Sequence, residues 1–219
     1  MGTNKYIKYN KSIILKYVIN FIRSIFLLTS IYLLFRTGFK DAIFLSISML
    51  FTFIPEIYTK IFGVKIPKYV SLVFCVFIFA SQFLGTFMGF YGYKYWDVLL
   101  HLSSGILVGV IAIVLLGSLD RTYLMLRNKK IGFIISYILS IGIAGTSVWE
   151  SMEFISDIIF KTHAQLGSLM DTMQDILCGS LGAIIFSIYI AVRVYQNKSS
   201  TLSEMMNINY YEKEYTDEI

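Results

Sequence analysis

LMDTMQDILCGSLGAIIFSIYIAVRV, residues 169–194, opens on two acids one helical turn apart, Asp171 and Asp175, and closes as an almost unbroken apolar run. About 20 helical residues cross the ~30 Å hydrocarbon layer of a bilayer, so the stretch reads as a transmembrane helix with carboxylates at its mouth. Acids within a membrane segment face a bundle interior or a water-filled cavity, because turning them to lipid costs several kcal/mol. The rest of the chain must therefore supply partners for them.

Composition agrees with a membrane protein. Apolar and aromatic residues make up 56 % of the 219 residues and charged residues only 15 %, with a mean hydropathy of +0.67, outside the range of soluble domains. Six runs approach membrane-spanning length: Ile13 to Phe35, Asp41 to Ile57, Tyr69 to Phe90, Trp96 to Leu119, Gly132 to Ile155 and Asp171 to Val194. All six should be helices, giving an all-α polytopic bundle of about six transmembrane helices. The first run carries a polar stripe, Lys16, Asn20 and Arg23, which can snorkel to the surface. The second is short and holds Pro55 and Glu56, so it should tilt or stop early. Residues 1–195 read as one transmembrane domain with its polar core in 96–195, and residues 196–219 as a mobile polar tail. Cys75 and Cys178 both fall in apolar runs, as small core residues do.

The basic residues set orientation. Cytoplasmic loops are enriched in Lys and Arg, and an inside N-terminus puts fourteen of them on that side: Lys5, Lys8, Lys11 and Lys16; Lys60, Lys65 and Lys68; Arg121, Arg127, Lys129 and Lys130; Arg193, Lys198 and Lys213. Four face outside, Arg36, Lys40, Lys94 and Lys161. Both termini should be cytoplasmic. The formal charge of +5 thus reports topology, and no nucleic-acid partner is expected.

That topology gathers three polar pairs on one side. The fourth run enters from outside through WDVLLH, with Asp97 and His101 on one face; the fifth leaves through WESMEF, with Glu150 and Glu153 on one face; the sixth enters with Asp171 and Asp175. At 1.5 Å per residue, Glu150 stands about 27 Å along a helix from Gly132, while His101 and Asp175 lie about 6 Å below their helix starts. All six side chains can occupy one layer at the external end. Gly105 and Gly109, Gly142, Ala144 and Gly145, and Gly179, Gly182 and Ala183 are residue types that let these three helices approach closely. Tyr91, Tyr93, Tyr95 and Trp96 form an interfacial aromatic belt.

Asp97-x-x-x-His101, Glu150-x-x-Glu153 and Asp171-x-x-x-Asp175 followed by Gly182 together resemble the YjdF-like family of uncharacterised bacterial inner-membrane proteins. More distantly they are similar to the VanZ family, which is linked to glycopeptide-antibiotic resistance. The resemblance runs from Trp96 to Ala183. Glu153, where the VanZ pattern tends to glutamine, and Gly179, where it tends to asparagine, favour the YjdF-like assignment. The resemblance implies a multi-pass protein of the bacterial cytoplasmic membrane and brings no settled reaction with it.

Five carboxylates and an imidazole suit a hard to intermediate divalent cation, Mg, Mn, Fe or Zn, with Asp97, His101, Glu150, Glu153, Asp171 and Asp175 as candidate ligands. Helical bundles build di-metal sites from such pairs. The chemistry also works without metal: crowded acids repel one another, and His101 beside Asp97 can serve as acid or base, with Asp97, His101 and Asp175 as candidate catalytic groups. Near the outer interface the natural substrate is a lipid or an isoprenoid-linked envelope precursor. A transporter or ion-binding protein, or a non-catalytic assembly or stress factor, is the competing reading. Singly, the same residues have plainer roles: Asp97 or Asp171 as a helix N-cap or first-turn dipole partner, His101 as a core histidine, and the glutamates, like Asp157 and His163, as solvated groups at a helix end. Glu56 lies on the opposite side and stands apart.

Overall fold

The computed structural model describes residues 2–36, 39–64, 66–93, 95–119, 130–161, 165, 168–196, 202 and 205–206. Among them every regular element is helical: α1 (Gly2–Arg36), α2 (Phe39–Phe51), α3 (Ile54–Phe62), α4 (Lys68–Ile78) running on as a π-helix (Phe79–Phe87) and a 3₁₀ turn (Phe90–Gly92), α5 (Trp96–Leu119), α6 (Ile131–Phe160) and α7 (Leu169–Tyr195). Five are long and apolar enough to cross a membrane, and the bent pair α2 and α3 makes a sixth span if counted as one. The chain is a polytopic helical membrane protein. It divides into two compact units, Met1–Lys94 and Tyr95–Ile219.

In the first unit, Ile19, Ile22, Phe26, Leu33, Leu45 and Cys75 form a buried apolar core between α1, α2 and α4. Phe26 meets Phe79 and Phe83 edge-on at 5.7 and 5.5 Å, and Phe79 stacks on Phe83 at 4.8 Å. The wider turn of the π-helix brings side chains four residues apart into this register.

The second run is broken where proline demands it. Pro55 lacks an N–H for the carbonyl four residues earlier. The chain turns at Thr52 and Phe53 through three-residue hydrogen bonds to Met49 and Leu50 at 3.0 Å each, and α3 leaves at 44° to α2. Exposed carbonyls at such a break are costly in lipid, and Arg23 covers one. Its Nη2 donates to the Thr52 carbonyl at 2.7 Å and to Glu56 Oε2 at 2.9 Å, and its Nε donates to Thr52 Oγ1 at 3.0 Å. The guanidinium lies 3.7 Å over the Phe53 ring. Arg23 therefore departs from the snorkelling stripe expected of it. Lys16 and Asn20 are exposed, whereas the Arg23 side chain is only 12 % exposed because a broken helix within reach offers it acceptors.

In the second unit α5, α6 and α7 pack against one another. A methyl on Gly105 would strike the backbone carbonyl of Gly179, one on Gly182 the carbonyl of Leu102, and one on Gly142 the side chain of Ala183. These contacts are backbone against backbone or nearly so, which only glycine allows. Away from its first turns the bundle is filled by Leu107, Val110, Ile113, Ile134, Ile138, Phe186 and Ile190, all buried. Within the segment expected to be a mobile tail, Leu202, Met205 and Met206 are instead buried, and Met206 lies where a side chain at Gly117 would be. Lys65, Lys94, Arg121, Arg127, Lys129 and the tail positions other than Gln196, Leu202, Met205 and Met206 lie outside the described residues.

Candidate functional site

Close approach of α5 to α7 determines where the acids meet. Gly105 and Gly179 touch, and the residues one turn before them are His101 and Asp175. A helical turn is about 5.4 Å long, so both side chains emerge beside each other just above the crossing. Thr146 of α6, buried, packs where a Gly179 side chain would be, and Glu150 follows one turn later. Two small-residue contacts, Gly105 with Gly179 and Gly179 with Thr146, thus bring an imidazole and two carboxylates to one point.

His101 is the hub. Its Nε2 lies 3.5 Å from Asp97 Oδ1 and 3.7 Å from Asp175 Oδ2, and its Nδ1 lies 3.5 Å from Glu150 Oε1. His101, Glu150 and Asp175 are buried at 6 %, 3 % and 3 % exposure, whereas the Asp97 side chain is 34 % exposed. The cluster is open at Asp97 and closed behind it. Donor atoms of Asp97, His101 and Asp175 all lie within 4.8 Å of one another, and so do those of His101, Glu150 and Glu153. Burying charges is costly unless they are paired or hold an ion. Here four carboxylates share one imidazole.

Asp171 belongs to neither group, though it is within electrostatic reach of Asp97 and His101. The N-cap of α7 is Ser168, whose Oγ accepts from the Asp171 amide at 3.3 Å, so capping is not the task of the Asp171 carboxylate. Asp157 accepts from the Gln165 amide at 3.0 Å and holds the α6–α7 connection. His163 lies outside the described residues. Glu56, in the first unit, pairs with Arg23.

Sequence reasoning missed the residues that steady the site. Trp149 Nε1 donates to Glu153 Oε1 at 2.7 Å, across an i, i+4 spacing legible within WESMEF. Gln165 Nε2 donates to the Glu150 carbonyl at 3.3 Å, and nothing in the sequence marks that pairing. Neither carboxylate oxygen of Glu150 takes a hydrogen bond from a described residue.

Membrane-length helices packed around a buried histidine ringed by acids define a polytopic helical membrane protein with a buried polar cluster. The chain belongs to the family described as predicted membrane protein (DUF2238), which matches residues 18–196 and so includes the five acids and the histidine named above. No curated protein and no solved structure matches it.

Proposed function

We propose that the second unit holds a divalent cation between α5 and α7, bound by Asp97, His101 Nε2 and Asp175, and uses it on a lipid or isoprenoid-linked precursor. The observation that carries the reading is the spacing around Nε2. Separations of 3.5 and 3.7 Å are too long for good hydrogen bonds. An ion with bonds of about 2.0–2.1 Å in tetrahedral geometry sets its ligands roughly 3.4 Å apart, so a small rotation of each side chain closes them on a metal. One imidazole with carboxylates suits Zn, Mn or Fe, and Mg if water completes the shell. Glu153 and Asp171 add negative charge around the ion.

The exposed edge at Asp97 leaves a coordination position for substrate, as catalytic sites require. A cation held by Asp97, His101 and Asp175 would supply Lewis-acid polarisation of a phosphate or ester oxygen, and an unliganded neighbouring carboxylate can take up a proton. Permeation is the weaker reading, because beneath the cluster the buried polar side chains described in this unit are only Thr146 and Ser187 in an apolar core. With the basic-residue distribution, the site faces the outside of a bacterial cytoplasmic membrane, where envelope lipids and their precursors lie. Relationship to the YjdF-like proteins, and more distantly to VanZ, fits the same three spaced pairs.

The test is elemental analysis of protein purified without chelator, beside an Asp97→Asn, His101→Ala double variant. The expected result is near-stoichiometric Zn, Mn or Fe in the parent and none in the variant. Titrating the parent with Mn²⁺ to a hundredfold over Kd should also raise its stability by about 2.7 kcal/mol. Equal metal content in the two proteins refutes the proposal.

A further inference from the structure

Glu150 is the residue that the cation site leaves unexplained. It is 3 % exposed, it stands on α6 while the three ligating groups stand on α5 and α7, and both its oxygens are sealed without a hydrogen bond from any described residue. The donor that faces it among the described residues is His101 Nδ1, at 3.5 Å, a gap that a small rotation of either side chain closes to a hydrogen bond. That contact ties Glu150 to the candidate site through the imidazole.

A neutral imidazole carries a single N–H, and the nitrogen that bears it is fixed by what the other nitrogen meets. Proton on Nε2 would point at Asp97 and Asp175 and leave Nδ1 with its lone pair against the Glu150 carboxylate, two acceptors face to face. Proton on Nδ1 donates to Glu150, whose two oxygens are sealed and take no other hydrogen bond from a described residue, and leaves the Nε2 lone pair toward the two aspartates. Of these Asp97 is 34 % exposed and open to water, and between them a cation would be chelated. Metal-bound histidines generally donate their second N–H to a carboxylate or carbonyl in this way, and loss of that partner weakens metal binding by about 10–100-fold. We propose that Glu150 is a positioning residue: it accepts the Nδ1 proton of His101, fixes the tautomer and ring plane, and presents Nε2 to the cation without ligating it. This rests on the cation reading for its use, though the tautomer itself does not.

The chain has only two histidines, so full-length protein labelled with ¹⁵N-histidine gives two imidazole signals, and a His163→Asn variant assigns them. The parent, free of metal and in alkaline buffer, should show His101 with its proton on Nδ1. Glu150→Leu should lose that preference, and Glu150→Gln, a weaker neutral acceptor, should keep part of it. In Mn²⁺ titrations followed by the free-ion electron spin resonance signal, affinity should fall about 10–100-fold in Glu150→Leu, less in Glu150→Gln, and beyond detection in Asp175→Asn. Leucine suits an apolar surrounding, and the glutamine variant carries the test if the leucine variant does not fold.

An Nε2–H tautomer in the parent overturns the proposal. So does an unchanged tautomer and affinity in both Glu150 variants. Loss of Mn²⁺ in both as complete as in Asp175→Asn also overturns it, since Glu150 is then a ligand. If the parent binds no Mn²⁺ yet shows the Nδ1–H tautomer and loses it in Glu150→Leu, positioning stands and the cation reading falls.

Discussion

Gly105→Ala is the sharpest perturbation of the fold-to-site link, because it adds one carbon where the site residues are not touched. The new Cβ would overlap the Gly179 carbonyl oxygen and stand 2.8 Å from its carbon and 2.9 Å from the Ala183 nitrogen. These are backbone atoms, which cannot rotate aside, and ordinary contact needs about 3.5 Å. The helices must part by more than about 1 Å. Overpacking of a well-filled interior costs about 1–3 kcal/mol, and most of that should appear as lower thermal stability in detergent. The same displacement carries His101 from Asp175, already 3.7 Å apart, past the span that one ion bridges. We expect Mn²⁺ affinity to fall at least tenfold in a protein that still inserts. Gly132→Ala is the control, since nothing lies within 4 Å of a methyl there, and it should change neither quantity. Parental stability and parental affinity in Gly105→Ala would refute the claim that the close α5–α7 crossing builds the site.

Three further outcomes are expected. Asp175→Asn keeps size and polarity and removes charge from a buried position, so it should insert and purify normally while losing cation binding, read by metal analysis. Arg23→Met strips the cap from the broken span, where hydrogen bonds to a charged donor contribute about 1.5–3 kcal/mol. With Glu56 32 % exposed, the net loss in detergent unfolding should be near the low end, about 2 kcal/mol, and Arg23→Lys should not restore it, since an ammonium cannot fork between Thr52 and Glu56. For sidedness, cysteines at Gly92 and Gly167 in a Cys75→Ser, Cys178→Ser background should label in intact cells, and a reporter after Ser200 should be active only in the cytoplasm; labelling only after permeabilisation reverses the topology.

The parts legible in the sequence are those written in local pattern. Apolar runs of membrane length marked the membrane-length helices, Trp96–Leu119 among them without change, although α1 begins eleven residues before the expected Ile13 and the second run is broken in two; in lipid an unbroken apolar run has no alternative to internal hydrogen bonding. The i, i+4 spacings of Asp97 with His101 and of Asp171 with Asp175, and the glycines below them, located the layer in which the acids gather. Two things were not legible. The inward turn of Arg23 depends on a break twenty-nine residues further on, and a polar stripe near a helix end looks the same whether it snorkels or caps. The different standing of the acids also escaped: the pattern treats Glu150, Asp171 and Asp175 alike, whereas the fold buries two of them and leaves Asp171 outside both groups of converging donors.

That unequal standing is what separates a site from a set of helix ends. Solvated acids at the mouth of a bundle would share a similar exposure and lean apart, since like charges repel and nothing holds them together. Here exposure falls from Asp97 at the edge to Glu150 and Asp175 behind it, and all three carboxylates stand 3.5 to 3.7 Å from the imidazole. Keeping carboxylates in an apolar bundle costs several kcal/mol unless a positive charge or a donor compensates, and one histidine cannot compensate four of them. The glycine crossings that force α5 against α7 add a further constraint, because any side chain at Gly105 or Gly182 would relieve the crowding. Sequence and packing thus agree in holding together groups that electrostatics alone would separate, and the cation proposed at His101 Nε2 would reconcile them.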